Sequence, residues 1–148
     1  MTIRHDGGSA ARPAADPGVA GQVLAVGTAE AGLALRSRGR TEVTVQEVTL
    51  APGAATGWHY HRGPLIVVVR SGTLTRLLAD GTRRTAAAGT AFVEPAGRRR
   101  VHLGRNLGAE PVELLVTYLL PAGSPLSRPA AGPGRPEGGA PDSDPLWR

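Results

Sequence analysis

An all-β fold, one small antiparallel barrel domain spanning residues 22–120, is predicted by three observations. Short apolar runs, several of them Val-rich, are separated at short intervals by Gly, Pro and Asp-Gly turns. No segment sustains a helical period of apolar residues. Three of the four histidines lie in the two most glycine-punctuated regions of that same stretch, as His59, His61 and His102.

Within 22–120 the elements follow from the pattern. From Glu42 to Leu50, Val43 and Val45 alternate in one phase and Val48 and Leu50 in the other, so a β-bulge is expected near Gln46-Glu47. Leu65 to Val69 is an unbroken apolar run and Glu113 to Leu120 reads ELLVTYLL, which predicts strands buried on both faces and, in an antiparallel barrel, a homodimer. Asp80-Gly81 predicts a hairpin turn, because both residues tolerate positive φ. The flanks differ in kind. Residues 1–21 hold Gly7-Gly8, Pro13 and Pro17 without hydrophobic period and read as a flexible arm. Residues 121–148 are dense in Pro and Gly, with Trp147 as their only aromatic, and read as a disordered tail.

Composition narrows the chemistry. A chain of 148 residues without cysteine has no disulfide framework, thiolate metal site or cysteine nucleophile, leaving His, Asp and Glu as reactive groups. The net charge of +5 comes from seventeen arginines and no lysine, a coding-level bias alongside abundant Ala, Gly and Pro rather than a nucleic-acid footprint. With one Phe, two Tyr and two Trp, stacking platforms for single strands are lacking, so no nucleic-acid partner is expected. No apolar stretch reaches the about eighteen residues that spanning a bilayer requires, so the expected location is cytoplasmic and no membrane partner is expected.

His59 and His61 are two apart, so on a strand both rings project from one face while Trp58 and Tyr60 project from the other. Imidazole is a common ligand for Zn, Fe, Ni and Cu, and a pair on one face needs a third donor from a neighbouring strand. Gly53-AATGW-His59-Tyr60-His61, closing at Gly72, resembles the first motif of the cupin superfamily, with Leu65 where the family has its glutamate. Gly89-TAFVE-Pro95-Ala96-Gly97, then His102-LGR-Asn106, resembles its second motif with two extra residues before the histidine. The resemblance covers roughly Glu42 to Leu120 and implies a double-stranded β-helix, a jelly-roll barrel with a metal in its mouth, commonly a homodimer.

The chain thus reads as a three-histidine variant lacking the motif glutamate, with His59, His61 and His102 holding one divalent ion, Fe, Ni, Mn or Zn. Three neutral imidazoles leave the full positive charge on the ion, with three open positions, and favour anionic substrates. A cupin with three histidines and no acid looks like the thiol and diketone dioxygenases. With zinc or nickel the same centre polarises a carbonyl and stabilises an enolate, as an isomerase or lyase does. The expected function is therefore a metal-dependent enzyme on a small anionic organic molecule; the alternative is a non-catalytic cupin that binds or senses a small ligand.

Other candidates surround the histidines. Glu94 and Glu47, on strands near the motifs, are candidate acid/base groups, replacement ligands or acceptors that orient a ligand, against the simpler reading of solvent-facing carboxylates. Arg98, Arg99 and Arg100 fill the lengthened loop before His102 and are candidate anion-binding residues, against that of a solvated turn. Phe92 and Leu65 are expected to give the cavity an apolar wall. Tyr60 is expected to face away from the histidines, and Tyr118 to lie in the core.

Overall fold

The computed structural model describes residues 16–134. Residues 1–15 and 135–148, which include much of both expected arms and Trp147, lie outside the described residues. The fold is all-β, with nine strands among the described residues: β1 (Thr41–Leu50), β2 (His59–Tyr60), β3 (Leu65–Ser71), β4 (Thr73–Leu78), β5 (Arg83–Ala87), β6 (Ala91–Glu94), β7 (His102–Arg105), β8 (Val112–Pro121) and β9 (Arg128–Pro129). They form two sheets of antiparallel ladders, one in the order β1-β8-β3-β6 and the other β5-β4-β7-β2-β9.

The expected closed jelly-roll barrel is not what forms. Each sheet keeps two open edges, β1 and β6 in the first, β5 and β9 in the second, and among the described residues no strand ladder joins the two. Closure needs long strands at the margins to pair across sheets. Here the marginal strands β6 and β9 span four and two residues, with Pro95 just beyond β6 and Pro129 within β9, neither of which can donate to a ladder.

The expected bulge at Gln46-Glu47 is also absent: β1 runs against β8 in unbroken register from Thr41↔Pro121 to Leu50↔Val112. The change of phase in the sequence instead reflects two faces. Val48 and Leu50 turn inward, whereas Val43 and Val45 stay on the outer face, 60% and 58% exposed. The irregularity lies elsewhere, between Val69 and Ser71 of β3. Nor are β3 and β8 fully buried on both sides: Leu65, Val67 and Val69 are buried, while Ile66 and Val68 are half-buried.

Alternation places the core between the sheets. Leu65, Val67, Val69, Val112, Leu114, Val116 and Leu120 from the first sheet meet Leu74 and Ala86 from the second. The turn between β4 and β5 uses Gly81 at φ 81°, with the Thr82 amide donating to Asp80 Oδ1 at 2.8 Å. Only the glycine of the Asp-Gly pair takes positive φ. Gly72, between β3 and β4, is required twice over: its φ is 73°, and a Cβ there would stand 2.6 Å from the Pro111 carbonyl oxygen. After Pro121 the chain crosses to the second sheet, where β9 pairs with β2 as His59↔Pro129 and Tyr60↔Arg128. Thus part of the segment read as a disordered tail forms an edge strand beside the histidines.

Candidate metal centre

Three histidines and one glutamate converge between the sheets. His59 comes from β2, His61 from the residue after it, His102 from the start of β7 and Glu94 from the end of β6. One donor atom from each lies within 4.8 Å of every other. The ring centroids of His59 and His102 are 4.4 Å apart, as expected for residues directly paired across the β2–β7 ladder. His61 stands 4.9 Å from His59 and 5.0 Å from His102.

Each ring is fixed from behind by a main-chain carbonyl. His59 Nδ1 donates to Gly57 O at 2.9 Å, His61 Nδ1 to Leu126 O at 2.7 Å and His102 Nδ1 to Arg100 O at 2.9 Å. A carbonyl oxygen only accepts, so the proton sits on Nδ1 and, in the neutral ring, Nε2 keeps its lone pair. This is the tautomer of a ligand histidine with its outer nitrogen hydrogen-bonded. His61 Nε2 and His102 Nε2 lie 3.2 Å apart, and Glu94 Oε2 lies 3.2 Å from the first and 2.9 Å from the second. Three acceptors that close repel unless a proton or a cation stands among them. Bonds of about 2.0–2.2 Å from N and O donors match such a set with small side-chain shifts, so the cluster is capable of chelating a divalent metal.

The electrostatics follow from the same contacts. Burial by itself would raise the Glu94 pKa, but the hydrogen bonds and charge of His102 and His61 outweigh it and hold the carboxyl well below the usual carboxylate range. For His102, burial favours the neutral ring, yet the Glu94 contact prevails and raises its pKa. Burial lowers that of His59. Tyr118, whose ring centroid lies 5.9 Å from that of His61, is pushed up by burial and by Glu94, and its hydroxyl donates to Gln46 Oε1 at 2.8 Å.

The expectation of a glutamate-lacking, three-histidine site is therefore corrected: the set is three histidines and one glutamate. The register supplies the reason. Leu65, standing where the motif glutamate would, pairs directly with Glu94, so the carboxylate reaches the histidines from the adjacent strand. With a fourth donor and its negative charge, the comparison with acid-free dioxygenases and the expected three open positions no longer hold.

Other expected residues are distributed unevenly. Glu47 is exposed on the outer face of β1, paired with Arg70 and apart from the cluster. Arg98, Arg99 and Arg100 form a single 3-10 turn in the lengthened loop, opened by Gly97 at φ 117°. Arg99 and Arg100 line a cleft of ≈ 350 Å³ whose wall includes Glu94 and His102. Arg98 turns to a different cleft, donating from Nε to the Tyr60 hydroxyl at 3.2 Å. Leu65 is core, and Phe92 packs half-buried against that core. Asn106, fully buried, has a structural role: its amide donates to the carbonyls of Leu50 and Glu110 at 3.0 and 2.7 Å.

Two contributors escaped the sequence reading. Leu126 acts through its backbone and left no side-chain signal. Arg76 on β4 lines the metal-side cleft with its guanidinium 3.6 Å from the Phe92 centroid. Its signal was present: it falls in phase with Leu74 and Leu78, an inward position for a charged residue.

A buried His/Glu cluster able to hold a metal between two antiparallel sheets defines the class of this site. Residues 46–118 match the model of the Cupin domain family, and that stretch contains all four members of the clustered His/Glu site. Among solved structures, the polyketide cyclase RemF from Streptomyces resistomycificus is similar at 21% identity and a TM-score of 0.53, over 63% of each chain. The DMSP lyases RdDddP and RnDddQII give 24% identity and 0.51, over 60% of this chain and 44% of theirs. The Cnp3 cupin domain of Schizosaccharomyces pombe gives 17% and 0.50, over 59% and 62%. This chain spans less than two thirds of each, and the likeness is one of fold. No curated protein sequence matches the chain. Among the described residues no helix is long and apolar enough to cross a membrane.

Proposed function

We propose that the chain is a metal-dependent enzyme acting on a small anionic organic molecule, with His59, His61, Glu94 and His102 holding one divalent ion, Fe, Ni, Mn or Zn. The observation that carries this reading is the set of three Nε2 lone pairs, each oriented by a main-chain carbonyl, converging with a buried carboxylate beside an open cleft. The bound ion supplies either oxygen chemistry, if iron or manganese, or Lewis-acid polarisation toward an enolate, if zinc or nickel.

The chain's own residues orient the substrate and manage protons. Arg99 and Arg100 raise the local concentration of an anion at the mouth, and Phe92 carries the Arg76 guanidinium on its ring at 3.6 Å. Tyr118, kept protonated by burial and by Glu94, donates its hydroxyl proton to Gln46 Oε1 rather than serving as a base, while its ring stands against His61. Exposed Val43 and Val45, on a sheet face whose neighbours Ile66 and Val68 are half-buried, support a homodimer through that face.

Elemental analysis of protein purified without an affinity tag tests the reading. Near-stoichiometric Fe, Ni, Mn or Zn is expected, absent from a His59→Ala/His61→Ala/His102→Ala variant. A native protein that stays empty after incubation with these metals would overturn it.

A further inference from the structure

Glu94 offsets one of the two positive charges a divalent ion would bring to the cluster. Further positive charge lies beside it. Arg76 sits mid-strand in β4, between Leu74 and Leu78 on the face turned toward the other sheet. A charged residue there is expensive to desolvate and is retained where something compensates it. Part of its surroundings does so: the guanidinium stacks on Phe92 at 3.6 Å, and the charge of Glu94 favours it. Yet its Nε is buried without a hydrogen-bond partner. Directly across the ladder stands Arg84, a like charge in the position where an opposite one would stabilise.

Both arginines line the ≈ 350 Å³ cleft with Arg99, Arg100, Glu94 and His102. The only other acid on this wall, Asp80, is held by its own turn through the Thr82 amide. Glu94 is already engaged by His61 and His102. The cleft therefore carries four guanidinium groups against two carboxylates that have other partners.

We propose that Arg76, with Arg84 beside it, is the anchor for a substrate carboxylate, and that the substrate is a small carboxylic acid bearing a second oxygen donor. The planar guanidinium matches a planar carboxylate through paired N–H donors. The substrate's other oxygen then points along the cleft toward His102 and Glu94. This rests on the metal-enzyme reading for its second contact only; the carboxylate contact belongs to the arginines.

Isothermal titration of the protein with malonate, with its neutral counterpart malonamide and with inorganic phosphate tests the inference, alongside elemental analysis of each sample. Malonate is expected to bind saturably to the native protein, more than tenfold tighter than malonamide or phosphate. Arg76→Met is expected to weaken malonate at least tenfold with metal content unchanged, and Arg76→Lys to recover part of that loss. Should Arg76→Met fail to fold, the comparison of Arg76→Lys and Arg84→Gln with the native protein replaces it, each weakening malonate at least threefold. No malonate binding, equal affinity in the variants, or phosphate bound as tightly would overturn the assignment. Arginine-dependent malonate binding in a protein that takes up no metal would sink the metal reading and leave the anchor standing. Bound metal with arginine-independent binding would do the reverse.

Discussion

Replacing Glu94 by Gln separates a chelating cluster from a set of histidines that merely pack. The amide keeps size and shape but removes the charge that faces His102 at 2.9 Å and His61 at 3.2 Å. In the metal-free protein the charge-assisted hydrogen bond from protonated His102, about 1.5–3 kcal/mol, gives way to a neutral bond of about 1 kcal/mol. The net loss, about 0.5–2 kcal/mol, corresponds to about 2–8 °C in Tm for a domain of this size. In the loaded protein the variant lacks an anionic donor beside a buried divalent charge, a deficit of about 3–5 kcal/mol, or about two to three and a half powers of ten in Kd. Chelator competition read by elemental analysis measures the second figure and thermal melts of chelator-treated protein the first. Glu47→Gln, on an exposed ion pair, is the control and is expected to change Tm by less than about 2 °C. A Glu94→Gln protein that holds metal as tightly as the native one would refute the assignment of this carboxylate as a ligand.

Further outcomes follow from the same geometry. Because Leu65 and Glu94 are direct partners, Leu65→Glu combined with Glu94→Leu is expected to regain at least tenfold of the metal affinity lost in Glu94→Leu alone, as chelator competition reports. Deleting residues 124–148 removes the carbonyl that orients His61; metal affinity is expected to fall about 10–100-fold while the core strands keep their amide protection in hydrogen exchange. For pH, His102 has a raised folded pKa, so its stabilisation of the metal-free protein is complete below about 6.5 and lost as pH rises through the folded value. Glu94, depressed, stabilises above about 4.3, and its contribution is lost as pH falls toward its folded value. Metal-free Tm is therefore expected to decline on both sides of a maximum between these limits, while metal affinity rises with pH as protons cease to compete. Val43→Arg with Val45→Arg is expected to convert a dimer to monomer in light scattering without a change in metal content.

The sequence made the all-β class visible because period-two alternation is local, and the three histidines visible because their spacing places donors on one face. What depended on partners across strands was less legible. Glu94 was a candidate for several roles, replacement ligand among them, until the register set it opposite Leu65. The exposed Val43 and Val45 imitated a bulge, since periodicity alone does not distinguish a shift of phase from an apolar residue left outside. Barrel closure depends on strand lengths at the margins, and β2 and β9, two residues each, are too short to leave a periodic signature. Arg98, Arg99 and Arg100 are adjacent in sequence yet divide between two clefts, because a 3-10 turn points successive side chains in different directions.

That the three histidine rings are oriented by carbonyls of Gly57, Arg100 and Leu126 has a bearing on how this chain varies under mutation. Every residue type supplies a carbonyl, so substitution at Arg100 or Leu126 leaves the acceptor in place so long as the backbone keeps its course, whereas Gly57, at φ 76°, holds a conformation that other residues rarely adopt. For His61 and His102, ring orientation is thereby insulated from sequence drift in a way that carboxylate-oriented histidines are not. Position 100 gains the most freedom. Its main chain serves His102 while its side chain faces the cleft, so exchanges there are able to retune what enters without disturbing what is chelated.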